Sequence, residues 1–367
     1  MTFKYRLKPT KAQRAQLEHT FELCRWVYNS TLAARKNAYE QRSETTGYFQ
    51  TKRMLPAWKV ERPELKQVHS QVLQDVVMRV DLAFQAFFRR VKLGEEPGYP
   101  RFKGYGRYDS ITYPQYGNGA VLNERVLRLS KVGDVKVVLH RPVKGEIKTV
   151  TVQRSVGKWY VCFSCKVEPE PLPVSSEMVG VDLGLKTFAV LSNGEQIKRQ
   201  RWMKKDAADV ARLQRKKEKL PKGSPERHKA VKALLHAYQR SNNRRNNFAH
   251  QESRKLVNRF GLLVFEKLDI ADMQANGNRV VNRGIADVAW GRFVQYSAYK
   301  AAYAGRGVIR VEPRGTTQMC SGCGEIVPKD LSVRVHDCPH CGLRIDRDLN
   351  AALNILARGM ASVGSEP

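Results

Sequence analysis

The sequence predicts a multidomain protein of the α+β class. Two long stretches in the first hundred residues repeat apolar side chains at helical spacing, whereas residues 126–167 show the alternation of strands. The proline-rich segment EPEPLPVSS, residues 168–176, predicts a domain boundary, and further strands and helices follow it. A length of 367 residues fits two or three domains.

The N-terminal part is predicted to combine one strand with helices. Residues 3–7 alternate apolar and basic side chains, which favours a half-buried strand, and Thr10 then caps a long helix. Residues 43–68 are interrupted by glycine and prolines and predict one short helix. Residues 70–91 predict a second long helix. Its predicted core face consists of Leu73, Val76, Val77, Val80, Phe84, Phe87 and Phe88.

The middle of the chain changes from a basic, tyrosine-rich stretch to strands. In residues 98–116 tyrosines alternate with cations such as Arg101 and Lys103, a pattern that suits stacking on bases and pairing with phosphates, although an ordinary surface loop is the alternative. Gly157 and Lys158 are predicted to close a hairpin. Cys162 and Cys165 lie on opposite faces of its second strand and cannot share a metal.

The second half alternates strands with strongly basic helices. Residues 179–192 predict two adjacent strands, and residues 198–259 predict two helices separated near Pro221. The helical stretch carries 20 Lys and Arg against five Asp and Glu, whereas a solvated helix face usually mixes its signs. A strand at 261–270, a helix at 290–304 and a strand at 308–313 are predicted next.

The overall charge restricts the partners. Lys and Arg number 65 against 35 Asp and Glu, which gives a net charge of +30 and favours a polyanion such as nucleic acid. An anionic membrane surface is the rival, but no stretch reaches the roughly 18 apolar residues of a span. The N-terminus lacks the apolar core of a signal peptide, and seven cysteines fit a reducing cytoplasm better than a disulfide framework.

Two cysteine pairs predict a structural zinc site. Cys320 and Cys323 are separated by fourteen residues from Cys338 and Cys341. Four thiolates complete the tetrahedral shell of one Zn²⁺, so no position remains for a catalytic water. We expect the nearby His336 and His340 to lie at the surface or to contact nucleic acid.

Three acids are candidates for a second metal centre. Asp182 and Glu266 lie in apolar strands, where an unpaired carboxylate is costly to bury, and Asp348 begins a predicted helix. Asp346 instead fits the N-cap of that helix, so Asp348 is preferred for chemistry. Phosphodiester cleavage commonly uses two Mg²⁺ ions about 4 Å apart with oxygen ligands. Sequence spacing does not establish that the three acids converge.

These motifs together resemble TnpB, a family of transposon-encoded, RNA-guided nucleases related to the type V CRISPR effectors. The resemblance spans nearly the whole chain, with small departures such as Thr317 where a serine is expected. It is carried by RLKPTKAQ, RWVYN, YPRFK, GVDLG (180–184), FEKLDI (265–270), IADVAWGRFVQYSAYKA (285–301), CSGCG, CPHCG and DRDLNAALNI (346–355).

The resemblance implies a domain organisation. It predicts an RNase H-like RuvC nuclease domain with the acid trio Asp182, Glu266 and Asp348, together with an inserted zinc ribbon and a wedge-type β-barrel that carries a helical recognition insertion. The predicted boundaries are 1–9 and 105–172 for the barrel, 10–104 for the helical recognition domain, 173–318 and 343–358 for RuvC, 319–342 for the zinc-binding, target-nucleic-acid-binding domain, and 359–367 for the tail.

It also implies partners. A guide RNA from the transposon end would pair with double-stranded DNA, and the protein would read a short motif adjacent to the target. Contacts near that motif would come from Tyr48, Gln50, Lys52, Ser70, Gln74 and Thr112. The basic helices, through residues such as Arg212, Arg215, Lys216, Arg244 and Arg245, would follow the backbone of the guide–target heteroduplex.

The resulting hypothesis is a Mg²⁺-dependent, RNA-guided DNA endonuclease of a transposon. We expect it to act in the cytoplasm of a prokaryote, associated with the nucleoid, as a monomer bound to its RNA. One alternative is a guided repressor that has lost catalysis, although intact acids in apolar strands argue against it. A RuvC-type nuclease that uses no RNA is the other alternative.

Overall fold

The chain folds into two compact units, Met1–Val167 and Glu168–Pro367. The structure is a computed structural model that describes residues 1–200, 202–269, 273, 275, 282, 284–285, 288–330 and 333–363. In these ranges, no helix combines the length and the apolar character needed to cross a membrane.

The first unit is built on a seven-stranded antiparallel sheet. Its strands are β1 (Thr2–Lys8), β2 (Ser110–Tyr113), β3 (Ala120–Asn123), β4 (Val126–Leu129), β5 (Gly133–Val138), β6 (Glu146–Ser155) and β7 (Lys158–Lys166). Their order is β2-β6-β7-β1-β5-β4-β3, and within this fully described unit no backbone ladder joins the edge strands β2 and β3. The expected wedge-type barrel is therefore not supported by the strand pairing.

Four helices and one 3₁₀ turn complete this unit: α1 (Lys11–Arg42), α2 (Tyr48–Lys52), α3 (Leu55–Glu61), Pro63–Gln67 (3₁₀) and α4 (Ser70–Lys92). Thr10 caps α1 as predicted, since its hydroxyl accepts from the amide of Gln13. The prediction of one short helix in 43–68 is wrong, because Pro56 in the first turn of α3 and Pro63 at the start of the 3₁₀ turn divide the segment. The core face of α4 ends at Phe84, and Phe88 is 52% exposed.

The hairpin β6–β7 confirms the strand pattern. Its turn lies at Val156 and Gly157, one residue earlier than predicted, and both have positive φ, at 48° and 68°, as a type I′ turn requires. Cys165 is buried in the core, whereas Cys162 lies on the other face and accepts a hydrogen bond from Gln153. The two side chains therefore lie on opposite faces of the strand, as predicted.

The second unit is organised around a five-stranded sheet of order β10-β9-β8-β11-β12. The strands are β8 (Met178–Leu183), β9 (Ala189–Leu191), β10 (Gln196–Ile197), β11 (Leu262–Glu266) and β12 (Gly307–Val311), with a separate pair β13 (Val335–Asp337) and β14 (Arg344–Asp346). Strands β8, β11 and β12 are parallel, and β9 is antiparallel to β8. Strand β11 ends before the predicted limit, Ile270, which lies outside the described residues.

Helices cover both faces of this sheet. The helices of this unit include α5 (Trp202–Glu218), α6 (Pro225–Arg259), α7 (Trp290–Tyr303) and α8 (Arg347–Val363), of which α5 packs against α6. On one face Phe265 packs edge-on against Phe293 of α7. On the other, Val264 and Val311 pack against Ile355 of α8. Both faces are therefore buried, which is why β8 and β11 read as continuous apolar runs. The first residues of the predicted tail, from 359 to 363, instead continue α8.

Candidate functional site

Helix α8 lies directly on strands β8 and β11. A Cβ at Gly180 would approach the carbonyl oxygen of Ala352 to 2.1 Å, and one at Gly359 would approach Val264 to 2.5 Å. Only glycine allows backbones to come this close. The contacts fix which strand positions face α8: position 180 on β8 and position 264 on β11.

Two of the predicted acids share that face. Side chains two residues apart on a strand point the same way, so Asp182 faces α8 like position 180, and Glu266 faces α8 like Val264. Strands β8 and β11 pair in parallel up to Val181 and Phe265, and the acids are the next residue on each strand. Asp182 and Glu266 therefore lie side by side at the carboxyl ends of adjacent strands.

The third acid comes from the start of α8. Asp348 is one turn before Ala352, the residue that contacts Gly180, and therefore lies on the same stripe of the helix. Asp346 accepts hydrogen bonds from the backbone amides of Asp348 and Leu349 at 2.8 and 3.2 Å. The predicted N-cap role of Asp346 is confirmed, and this cap leaves Asp348 as the helix-borne acid beside the strands.

The charges of the other two acids act on Asp182. Burial, followed by repulsion from Glu266 and Asp348, raises the pKa of Asp182 to about 8, while Arg347 acts in the opposite direction. The Asp182 side chain is nearly inaccessible, with 9% of the residue exposed. A buried carboxylate repelled by two others is the environment in which a divalent cation gains most on binding.

Glu266 is oriented by a threonine that sequence reasoning missed. Burial raises the pKa of Glu266, and a hydrogen bond from Thr316 opposes that shift. The Thr316 hydroxyl donates to Oε1 of Glu266 at 2.5 Å. No pattern in the sequence pairs these residues, which are 50 positions apart.

Asp348 is paired with arginines. The Arg347 guanidinium donates to its Oδ1 at 3.0 and 3.2 Å, and Arg334 lies 3.8 Å from its Oδ2. Among the described His, Cys, Asp and Glu side chains, only the four cysteines gather their ligand atoms closely enough to hold an ion. The three acids are thus brought together as neighbours without forming a closed ligand shell.

The four cysteines form a cluster compatible with zinc. All four sulfur atoms lie within 4.8 Å of one another, and the pairs Cys320–Cys341 and Cys323–Cys338 are 3.6 and 3.7 Å apart. Tetrahedral Zn²⁺ with bonds of about 2.3 Å places sulfurs about 3.8 Å apart. The donor set and its spacing therefore fit one structural Zn²⁺.

His336, beside this cluster, departs from expectation. It is 0% exposed on β13, and its Nδ1 contacts Nζ of Lys329, so its predicted surface position is wrong. His336 is the central residue of β13 and pairs with Ile345 of β14. His340 is exposed, as expected.

Several predicted motif-contacting residues have structural partners. Thr112 accepts a hydrogen bond from Arg79 at 2.7 Å and lies 2.9 Å from the hydroxyl of Thr151. Gln50 accepts from the amide of Gly47 at the start of α2, and Ser70 accepts from Lys59.

Other predicted contacts in the first unit are less constrained. Gln74 is half-buried one turn after Ser70, and Arg101 is exposed. Lys52 lies 5.6 Å above the ring of Tyr48, and Lys103 lies 5.4 Å above the ring of Tyr28.

The cations predicted to follow a nucleic-acid backbone lie on α5 and α6. Gln214 donates to the hydroxyl of Tyr238 at 2.8 Å, which joins the two helices. Arg212, Arg215 and Lys216 are exposed on α5.

Their counterparts on α6, Arg244 and Arg245, are half-buried. Arg244 pairs with Asp206 at 3.1 Å, so part of its charge is compensated within the helix pair. Both helices nevertheless present exposed cations, which on α6 include Lys229, Lys232 and Arg240.

Comparison with known proteins gives matches over nearly the whole chain. Family models match at residues 162–277 (probable transposase), 290–355 (Cas12f1-like, TNB domain) and 1–44 (helix-turn-helix domain). A Streptomyces pristinaespiralis protein named as an RNA-guided DNA endonuclease is 33% identical over 98% of this chain and 89% of its own length. An Escherichia coli K12 protein with the same designation, InsQ, is 30% identical over 98% of this chain and 92% of its own. The solved structure of CasPhi-2 (Cas12j) bound to crRNA matches 97% of both chains at 10% identity, with a TM-score of 0.44.

Proposed function

The chain belongs to the TnpB family, and on that basis we propose that it is an RNA-guided DNA endonuclease with a RuvC-type centre of Asp182, Glu266 and Asp348. The observation that carries the proposal is the convergence of the three acids where β8, β11 and the start of α8 meet. Two of them come from rigid strands and one from a capped helix, which limits how far the carboxylates can move.

The donor set fits Mg²⁺. Asp182 is the central ligand because both other acids act on it, and their mutual repulsion favours a divalent cation. Bound Mg²⁺ would stabilise the charge that develops on the attacking and leaving oxygens of an in-line displacement.

The remaining side chains position these ligands. Thr316 fixes one oxygen of Glu266, and Asp346 holds the first turn of α8, from which Asp348 projects. Arg347 holds Oδ1 of Asp348 and limits its rotation. The arrangement of the carboxylates is therefore supported by hydrogen bonds from neighbouring side chains and by the cap of α8.

The cationic surface supports the nucleic-acid part of the proposal. Exposed Arg212, Arg215 and Lys216 on α5 would contact phosphates of a guide–target heteroduplex without reading its sequence. Near the motif, Gln74 is the best candidate for a base contact, since a glutamine amide can pair with adenine N6 and N7. The guide would derive from the transposon end, and the protein would act in the bacterial cytoplasm.

The acid assignment is tested by isosteric replacement. We expect Asp182→Asn, Glu266→Gln and Asp348→Asn each to abolish cleavage of matched DNA in the presence of Mg²⁺. Binding of the same DNA by the protein–RNA complex should survive, because these residues would bind the metal and would not contact the duplex. Gel analysis of product and a filter-binding assay measure the two activities.

Asp346→Asn is the matched control. An asparagine oxygen can accept the same capping hydrogen bonds, so cleavage should persist. Cutting by the Asp182→Asn or Glu266→Gln variant would refute the assignment. A wild-type complex that binds but never cuts would indicate the repressor, and purified protein without a discrete RNA would indicate a nuclease that needs no guide.

A further inference from the structure

The segment between β12 and the first cysteine pair, residues 312–319, contacts one acid of the proposed nuclease centre. Thr316 is its innermost residue, at 2% exposure. Its hydroxyl lies 2.5 Å from Oε1 of Glu266 and 3.0 Å from the carbonyl oxygen of Pro313. A hydroxyl has one proton to donate, and the shorter distance and the charged acceptor both favour Glu266.

The same segment is fastened to α8 by two buried asparagines. Asn354 donates to the carbonyl oxygens of Thr316 and Met319 at 2.9 and 2.7 Å. Asn350 donates to Met319 at 2.7 Å and accepts from the amide of Ser321 at 2.9 Å. Both asparagines are 3% exposed or less, so a side chain there that left these groups unpaired would be costly.

The cysteine cluster provides a second link between this segment and α8. Cys320 directly follows this segment, and Cys341 lies shortly before β14, whose last residue caps α8. A metal held by both cysteine pairs therefore links the segment that carries Thr316 to the start of the helix that carries Asp348. The segment contacts Glu266 through Thr316, and the helix carries Asp348.

From this arrangement we propose that the four-cysteine site positions the nuclease centre, and that Thr316 is the positioning residue through which it orients Glu266. The inference rests on the proposed function. Without the hydroxyl, the Glu266 carboxylate loses its fixed donor and can rotate away from the metal position. Displacements of about 1 Å in such ligands can reduce rates about 100-fold.

The test compares three substitutions in the full-length protein. Thr316→Val keeps the shape but removes the hydroxyl, Thr316→Ser keeps the hydroxyl, and Thr317→Val is the matched control at the neighbouring, half-buried threonine. Mn²⁺ alone is the probe, and its affinity is measured from the electron paramagnetic resonance signal of free Mn²⁺. Zinc content and melting temperature are recorded for every variant.

We expect Thr316→Val to bind Mn²⁺ about 10-fold more weakly at unchanged zinc content, and to need correspondingly more Mg²⁺ for cleavage. Thr316→Ser should restore both properties, and Thr317→Val should match the wild type. If Thr316→Val fails to fold, Thr316→Ala carries the same comparison with the serine variant.

Unchanged Mn²⁺ affinity in a folded variant without the hydroxyl would overturn the inference, as would a serine variant as weak as the valine variant. The outcome is separable from that of the proposed function. A wild-type protein that never cuts DNA would refute the endonuclease, whereas the Mn²⁺ comparison would still decide the role of Thr316.

Discussion

At the residue scale, the proposed centre depends on carboxylates whose burial and mutual repulsion are unfavourable. Burial of Asp182 and repulsion from Glu266 and Asp348 together raise the pKa of Asp182 to about 8. Asp182 and Glu266 could be selected from the sequence because charged residues within apolar strands are costly unless they have a role. Thr316 and Arg347 could not, because their significance lies in contacts that no local pattern encodes.

The raised pKa predicts how stability varies with pH in metal-free protein. The pKa of Asp182 is higher in the folded than in the unfolded chain, so the folded state binds the extra proton and loses stability as pH rises from about 4 to about 8. Asparagine resembles the protonated acid and lacks this dependence. Asp182→Asn should therefore melt at a higher temperature than the wild type at pH 8, with a smaller difference at pH 5.

Melting curves in EDTA at both pH values check this prediction. Asp209→Asn, at an exposed acid on α5, is the control and should show no such growth of the difference. A melting-temperature advantage of Asp182→Asn that is equal at pH 5 and pH 8 would contradict the repulsion described here.

At the scale of elements, the close approach of α8 to β8 builds the site. The backbone of α8 lies against Gly180 at Ala352, and Asp348 lies one turn before Ala352. A shift of the helix would therefore move Asp348 relative to Asp182. The existence of both elements follows from the sequence. Their contact depends on Gly180, whose role is visible only once Ala352 lies against it.

Gly180→Ala is predicted to separate the two elements. The new Cβ would lie 2.1 Å from a backbone oxygen, which cannot move without moving α8. We expect a loss of about 1–3 kcal/mol in the free energy of unfolding and a large loss of cleavage. Chemical denaturation and a cleavage assay measure these effects.

Gly98→Ala provides the control. Nothing lies within 4 Å of a Cβ at that glycine, so stability should be nearly unchanged. A Gly180→Ala protein as stable and as active as the wild type would show that α8 does not rest on β8 in this way.

At the scale of the molecule, the net charge of +30 governs binding to nucleic acid. The second unit carries exposed cations on both α5 and α6, but Arg212 on α5 pairs with Asp209 at 3.2 Å and Arg244 on α6 pairs with Asp206 at 3.1 Å. The charge count therefore overstates the number of cations that are available, because intramolecular pairing uses some of them.

Replacing Arg215 and Lys216 together by Gln should weaken binding to a guide–target heteroduplex at every sequence alike. The slope of log affinity against log salt should become shallower by about one for each phosphate that the variant no longer neutralises. Arg128→Gln removes a cation already paired with Asp134 at 3.0 Å in the first unit and should leave the slope unchanged. An unaltered slope in the double variant would show that these two residues do not bind phosphates.

The sequence by itself determined the α+β class, the long helices, the parallel strands' apolar character, the cysteine set and the identities of the acids, because each is expressed in periodicity, spacing or a costly residue type. It did not determine the open order of the first sheet, the burial of His336 or the hydrogen bond from Thr316 to Glu266. Those depend on which surfaces meet after the chain has folded. Only the tertiary structure brings residues 182, 266, 316 and 348 to one place, because nothing local in the chain records their contacts.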